Sequence, residues 1–272
     1  MNFAATFPER LVIDGVGLET RWLGPDPAEA PTLVLLHEGL GCIGLWGRFP
    51  ERLAEATGCG VFAYSRAGYG RSDPIVPPRP LTYMHNEALH SLPALLDRIG
   101  LHRGILVGHS DGASIATIYA GGVQDHRIRG LVLMAPHFFT EQMGLDGIAR
   151  TKAAFETSDL RARLARHHGD NTDGAFRGWS QAWLDPAFQA WDIREYLRYI
   201  RVPVLLVQGL EDQYGTLAQV ECARAETLCP LETLLLERCG HAPHHEATQA
   251  TLKGIGAFVR HLLEIAGVPN MN

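Results

Sequence analysis

The chain has 272 residues, with 24 Lys plus Arg against 30 Asp plus Glu and a formal charge of −6. Its 46% hydrophobic and 20% charged residues supply a large core and exclude a disordered chain or a low-complexity scaffold. A mildly acidic protein without a clustered basic run has no electrostatic reason to hold nucleic acid.

The first residues, Met1 to Arg10, lack a basic stretch followed by an apolar one, so no signal peptide is expected. No apolar run approaches the ~20 residues needed to span a bilayer. Cys42, Cys59, Cys222, Cys229 and Cys239 are odd in number and include no C-x-x-C pair. They read as reduced thiols of a soluble cytoplasmic protein with no membrane partner.

Residues 10–23 carry two alternating runs around Asp14-Gly15, the signal of an antiparallel hairpin. Short apolar runs then recur at 32–36, 60–64, 104–108, 131–135, 202–207 and, more weakly, 233–236. Continuous runs of this kind mark strands buried on both faces. Segments of helical length separate them: 49–57, 84–99, 113–121, 218–228 and 248–265. The Pro-rich stretch 74–80 reads as a stiff surface loop leading into a helix. The alternation predicts a doubly wound α/β sheet.

About 65 residues separate the strand ending near Pro136 from the one starting near Val202, where a crossover needs only a dozen or so. Helical stretches at 147–156, 158–168 and 175–183, with Trp179, Trp183 and Trp191, argue for a small helical cap rather than a structureless loop. The expected division is a core of residues 1–137 and 201–272 with a cap over 138–200.

Gly108-His109-Ser110-Asp111-Gly112 fits G-x-S-x-G between an apolar strand and a helix. Such a turn lifts the Ser110 hydroxyl off the sheet and points a helix N-terminus at developing negative charge. A serine needs a base held by an acid. Asp212, in Gly209-Leu210-Glu211-Asp212, sits just past a strand end and is favoured as the acid over Glu211, since it lies one step deeper in the turn. His241, in Cys239-Gly240-His241-Ala242-Pro243, follows the last strand and is the expected base. His244 and His245 nearby do not complete a zinc ligand set, and they read as surface or supporting residues.

An acyl-transfer site also needs two N–H groups on the tetrahedral oxygen. One comes from the residue after the serine, Asp111. The other comes from His37-Glu38-Gly39-Leu40-Gly41, with Gly39 the first candidate and Leu40 the second. His37 reads as a brace of that loop. The Asp111 side chain suits a helix N-terminus, and in a sharper reading it disfavours anionic substrates.

Together with Tyr64-Ser65-Arg66-Ala67-Gly68-Tyr69-Gly70-Arg71-Ser72-Asp73, these motifs resemble the α/β-hydrolase fold family. The resemblance covers about residues 10–265. It implies a mostly parallel eight-stranded sheet flanked by helices, a helical cap after the sixth strand, and a triad of Ser110, His241 and Asp212. One departure stands out: Glu38 follows His37 where family members more often have glycine.

The reading that follows is a cofactor-free serine hydrolase of a small carboxylic ester or lactone, acting through an acyl-enzyme on Ser110. Leu40, Trp179 and Trp183, with Trp46 and Phe138 below, are expected to wall an apolar substrate pocket. One rival is a carbon–carbon bond hydrolase of aromatic ring-cleavage products, which needs a cationic anchor such as Arg66, Arg150 or Arg177. Another is a receptor-like binding protein.

Overall fold

The computed structural model describes residues 3–265. After a short helix α1 (Phe3–Thr6), strands β1 (Arg10–Ile13) and β2 (Val16–Leu23) form an antiparallel hairpin. Its turn residues Asp14 and Gly15 both have positive φ, 49° and 82°, the twist that a two-residue hairpin loop requires. The chain continues through β3 (Thr32–Leu36), α2 (Phe49–Thr57), β4 (Gly60–Tyr64), α3 (Tyr83–Asn86), α4 (Leu92–Arg98), β5 (Gly104–His109), α5 (Asp111–Gly122) and β6 (Ile128–Met134). Helices α6 (Gln142–Thr157), α7 (Leu160–His168), α8 (Thr172–Trp183) and α9 (Arg194–Leu197) follow. The chain then forms β7 (Val204–Gly209), α10 (Leu217–Glu226), β8 (Leu231–Leu236), α11 (Pro243–Glu246) and α12 (Thr248–Ile265).

The eight strands form one sheet in the order β1-β2-β4-β3-β5-β6-β7-β8. Strand β2 is antiparallel to both of its neighbours, β1 and β4, and β4, β3, β5, β6, β7 and β8 run parallel. Side chains alternate across the pleat. Val34, Leu36, Phe62, Tyr64 and Leu106 join the core on one face. Leu33, Leu35, Val61, Ala63, Ile105 and Val107 join the core on the other. Helices α4 and α5 cover the first face, while α2 and α12 cover the second. Burial on both faces is why these strands read as unbroken apolar runs. Each buried Leu or Val side chain contributes about 1.5–3 kcal/mol.

Two boundaries move. Residues 84–99 are not one α-helix: a π turn at Glu87–Ser91 separates α3 from α4. Pro93 in the first turn of α4 lacks an N–H and crowds the preceding turn, which widens the backbone there. Strand β7 starts at Val204, after Pro203, which cannot donate to the ladder. Strand β8 is an edge strand with partly exposed residues, which accounts for its weak apolar signal.

The segment between β6 and β7 carries α6 to α9. Its two ends are tied where Ile193 N–H donates to Phe138 O at 2.7 Å and Thr140 N–H to Trp191 O at 3.2 Å. Among the described residues no helix is long and apolar enough to cross a membrane, and the five cysteines are free thiols.

The chain leaves β3 for β4 on one side and returns to place β5 on the other. Leu36 and Gly108 are register partners, so the segments after β3 and β5 emerge side by side. This reversal of strand order opens a crevice at the carboxyl edge of a doubly wound sheet. It also brings α5 hard against β3: a Cβ on Gly112 would lie 1.9 Å from Leu36 O. Gly112→Ala is therefore expected to lower the urea unfolding free energy by on the order of 3 kcal/mol, or to prevent folding, as forced overpacking against backbone does.

Candidate active site

Ser110 stands between β5 and α5 at φ 52° and ψ −117°, a conformation that costs a residue with a Cβ about 1–3 kcal/mol. The turn is held by Ser110 N–H donating to Met134 O at 2.9 Å and by Ser110 O accepting from Ala113 N–H at 2.8 Å. Gly108 and Gly112 serve close approach: a Cβ on Gly108 would lie 2.4 Å from Gly112 O. The strain sits on the serine itself.

Asp212 and His241 come from the loops after β7 and β8. The His241 Nδ1–H donates to Asp212, with Oδ1 at 2.9 Å and Oδ2 at 2.8 Å. Gln208 Nε2 at 2.9 Å and Tyr214 N–H at 2.8 Å also donate to the Asp212 carboxylate. Burial alone would raise the Asp212 pKa, but the His241 ring, the Tyr214 N–H and the nearby His137 outweigh it and hold it low. Glu211 points outward and is exposed. The geometry thus selects Asp212 as the partner of His241.

The His241 main chain is held from two sides. His109 Nε2–H donates to His241 O at 2.7 Å. Glu246 accepts Gly240 N–H at 2.7 Å and Ala242 N–H at 2.9 Å. The rings of His137 and Tyr214 flank that of His241, with centroids 5.6 Å and 4.8 Å away. Burial and the His241 ring push the His137 pKa down. Ser110 and His241 border one cavity of about 260 Å³, although no hydrogen bond joins them among the described residues. Free active sites often show such pairs loose.

The loop after β3 is fastened from behind. His37 donates from Nδ1 to Glu38 O at 2.7 Å and accepts Arg66 N–H at Nε2 at 3.0 Å. The Arg66 guanidinium donates to the carbonyls of His37 and Glu38. Because carbonyl and N–H oppose each other across a trans peptide, the Gly39 N–H is directed away from Arg66. From α7, His168 Nε2–H donates to Leu40 O at 2.9 Å, and its Nδ1 accepts Gly70 N–H at 3.0 Å. Among the described residues the N–H groups of Gly39 and Leu40 have no hydrogen-bond partner, and the Asp111 N–H opens the first turn of α5, where a helix offers its N–H groups no partner of its own. A Cβ on Gly39 would lie 2.1 Å from Trp179 Nε1, so glycine is required there by the indole of α8.

Leu40, Trp179, Trp183 and Ile148 supply the apolar wall of the cavity. Trp183 also reaches Asp111, to which Trp183 Nε1 donates at 3.2 Å alongside the Tyr83 hydroxyl. Burial raises the Asp111 pKa against the pull of Arg66.

Several expected roles are corrected. Trp46 and Phe138 do not border the cavity. Trp46 packs beneath it against Phe49 and His244, and Phe138 is fully buried in the core. Arg66 is spent on the loop carbonyls, and Arg150 and Arg177 are exposed. Among the described residues no Lys or Arg lines the cavity. Of the two roles expected of His244, surface or supporting, its position fits the supporting one: it is buried, with its ring 4.7 Å from that of His109. Among the described residues no three His, Cys, Asp or Glu side chains cluster as a metal site. Sequence reasoning missed Tyr83, His137, His168, Gln208 and Glu246. Only Glu246 left a local signal, a glutamate beside the His241 loop and able to cap it.

The sequence model of a family described as "Alpha/beta hydrolase family" matches residues 33–253. A proline iminopeptidase of Lactobacillus helveticus is 30% identical over 119 residues, 43% of this chain and 40% of the relative's own length. The chain thus spans about two fifths of that curated relative. Among solved structures, the 2-hydroxy-6-oxo-6-phenylhexa-2,4-dienoate hydrolase of Rhodococcus superimposes with a TM-score of 0.78 at 17% identity, covering 95% of this chain and 98% of that one. The enol-lactonase of Burkholderia xenovorans does so with a TM-score of 0.70 at 20% identity, covering 92% and 99%. These two are likenesses of fold.

Two outcomes are expected. Ser110→Gly unfolds at higher urea than Ser110→Ala, by about 1 kcal/mol, because removing the Cβ releases the strain and only part is offset by the flexibility of glycine in the unfolded chain. The second concerns His37, His137, His168 and His244, all buried with lowered pKa values. They stay neutral in the fold, whereas unfolded histidine protonates near ~6.5. Unfolding therefore takes up protons below that pH, and stability falls as pH drops from ~6.5 toward the lowered folded values. Urea midpoints measured from pH 7 to 5 should fall, and His168→Gln should make the slope shallower by about one proton.

Proposed function

The chain belongs to the alpha/beta hydrolase family, and from that premise we propose that it is a serine hydrolase of small carboxylic esters or lactones. The observation that carries this reading is the strained Ser110, which borders the same cavity as a His241 ring already fixed by Asp212. With its Nδ1–H given to Asp212, His241 has a free lone pair on Nε2, the form a general base needs.

Ser110 Oγ attacks the acyl carbon while His241 Nε2 takes the hydroxyl proton. The N–H groups of Asp111 and Gly39 hold the resulting oxyanion. Collapse breaks the carbon–oxygen bond, and His241 returns the proton to the leaving oxygen, releasing the alcohol or opening the lactone ring. Water then attacks the acyl-enzyme with His241 again as base, and the acid leaves. No step requires a cofactor. The helices between β6 and β7 act as a cap whose indoles exclude water, and the free thiols suit a reducing, cytoplasmic setting.

The rival reading, a carbon–carbon hydrolase of dienoate-type ring-cleavage products, draws support from the fold of the Rhodococcus enzyme. It calls for a cation facing the substrate carboxylate, and the cavity lining supplies none. A receptor-like role leaves the histidine–aspartate pair without a purpose.

The test is hydrolysis of short p-nitrophenyl esters and a simple lactone. Ser110→Ala and His241→Ala are expected to lose about 10⁶-fold in kcat and Asp212→Asn about 10⁴-fold, whereas Glu211→Ala keeps most activity. An inactive Glu211→Ala beside an active Asp212→Asn would reverse the acid assignment. Turnover that survives Ser110→Ala would end the serine-hydrolase reading.

A further inference from the structure

Three acidic residues border the cavity, Glu38, Asp111 and Glu246, and among the described residues no lysine or arginine does. Two of the three are already occupied. Asp111 is taken by Tyr83 and Trp183. Both oxygens of Glu246 are taken by the N–H groups of Gly240 and Ala242.

Glu38 is different. It follows His37 on the loop that supplies Gly39, and its side chain folds back over Gly41, where a Cβ would lie 2.3 Å from Glu38 Oε2. Its nearest partner is His109 Nδ1, 3.5 Å from Oε2, too long for a well-formed hydrogen bond. The side chain is 25% exposed, and Glu38 borders the cavity. His109, with its Nε2–H committed to His241 O, is buried and leaves Nδ1 without a hydrogen-bond partner. Burial would raise the Glu38 pKa, but His109 and Arg66 outweigh it and hold it below the ordinary range. The carboxylate is thus ionised at neutral pH.

We propose that Glu38 is the specificity-determining residue of this site, a charge filter that turns away acyl groups bearing a carboxylate and favours those bearing an ammonium. This rests on the ester-hydrolase reading. Arg66 lies behind the loop with its guanidinium engaged by carbonyls, so it offers an incoming anion no contact. In a cavity walled by two indoles and a leucine, water screens a charge poorly and like charges repel strongly. Discrimination is a difference between two substrates, so it is read as a ratio.

The experiment uses three methyl esters with the same acyl spacing: methyl butyrate, monomethyl succinate and β-alanine methyl ester. Acid release is followed by titration at pH 7 in the native protein, Glu38→Gln and Glu38→Ala. In the native protein, kcat/KM should run ammonium ester, then neutral ester, then succinate ester, the last at least about tenfold below the neutral one. Both variants should raise the succinate-to-butyrate ratio by about tenfold and lower the β-alanine-to-butyrate ratio. The two variants guard against a packing effect peculiar to either.

Ratios unchanged in both variants, or a uniform loss on all three esters, would overturn the filter. A native protein that prefers the succinate ester would overturn it as well. Methyl butyrate left intact by the native protein, or cleaved equally by Ser110→Ala, would instead sink the hydrolase reading on which the filter rests. Ser110-dependent cleavage with unchanged ratios removes the filter alone.

Discussion

The turn at Ser110 exists because backbone meets backbone on both sides of it. Strand β5 ends against the first turn of α5, and that turn sits against the end of β3, so Gly108 and Gly112 have no room for a Cβ. With both glycines pinned, the chain joins strand to helix with Ser110, midway between them, held at positive φ. The strain is sustained by the packing of two fully buried strands and a buried helix. The position of the serine hydroxyl is therefore a property of the whole sheet.

Around that point the polar groups are arranged so that the loop carbonyls are satisfied from behind. His37, Arg66 and His168 take up the carbonyls of residues 37, 38 and 40. Each is buried and each would be costly if left unpaired, so the loop is rigid in one orientation. Rigidity of this kind is what an electrostatic site needs, since donors that do not reorganise are worth more than donors that do. The same frame depends on neutral imidazoles, because an imidazolium at His37 or His168 would lose the acceptor that holds Arg66 N–H or Gly70 N–H. The acid sensitivity expected of the fold and the geometry of the site thus come from the same side chains.

Much of this was legible in the residues. The hairpin at Asp14-Gly15, the buried strands and the helical insert follow from local pattern, since period and turn chemistry are properties of neighbours in the chain. The partnership of Asp212 with His241 was legible because each lies just beyond a strand end, and parallel strands deliver such positions to one edge. The misreadings have a common cause. Trp46 and Phe138 share the composition of pocket residues but face the core. Arg66 resembles an anchor for an anion, yet its guanidinium is consumed by two carbonyls that lie 28 and 29 residues away in the chain. Tyr83, His137 and His168 come from separate elements and meet the site only through packing.

By itself, then, the sequence determined the class of sheet, the strained serine turn and the loops that bear Asp212 and His241, because these depend on periodicity, on glycine placement and on order along the chain. Tertiary structure alone decided which charges face the cavity and which are spent on the frame. A guanidinium or carboxylate carries no mark of its partner until folding brings distant carbonyls and N–H groups to it. Arg66 bound to the loop carbonyls and Glu38 at the border of the cavity are the two sides of that decision.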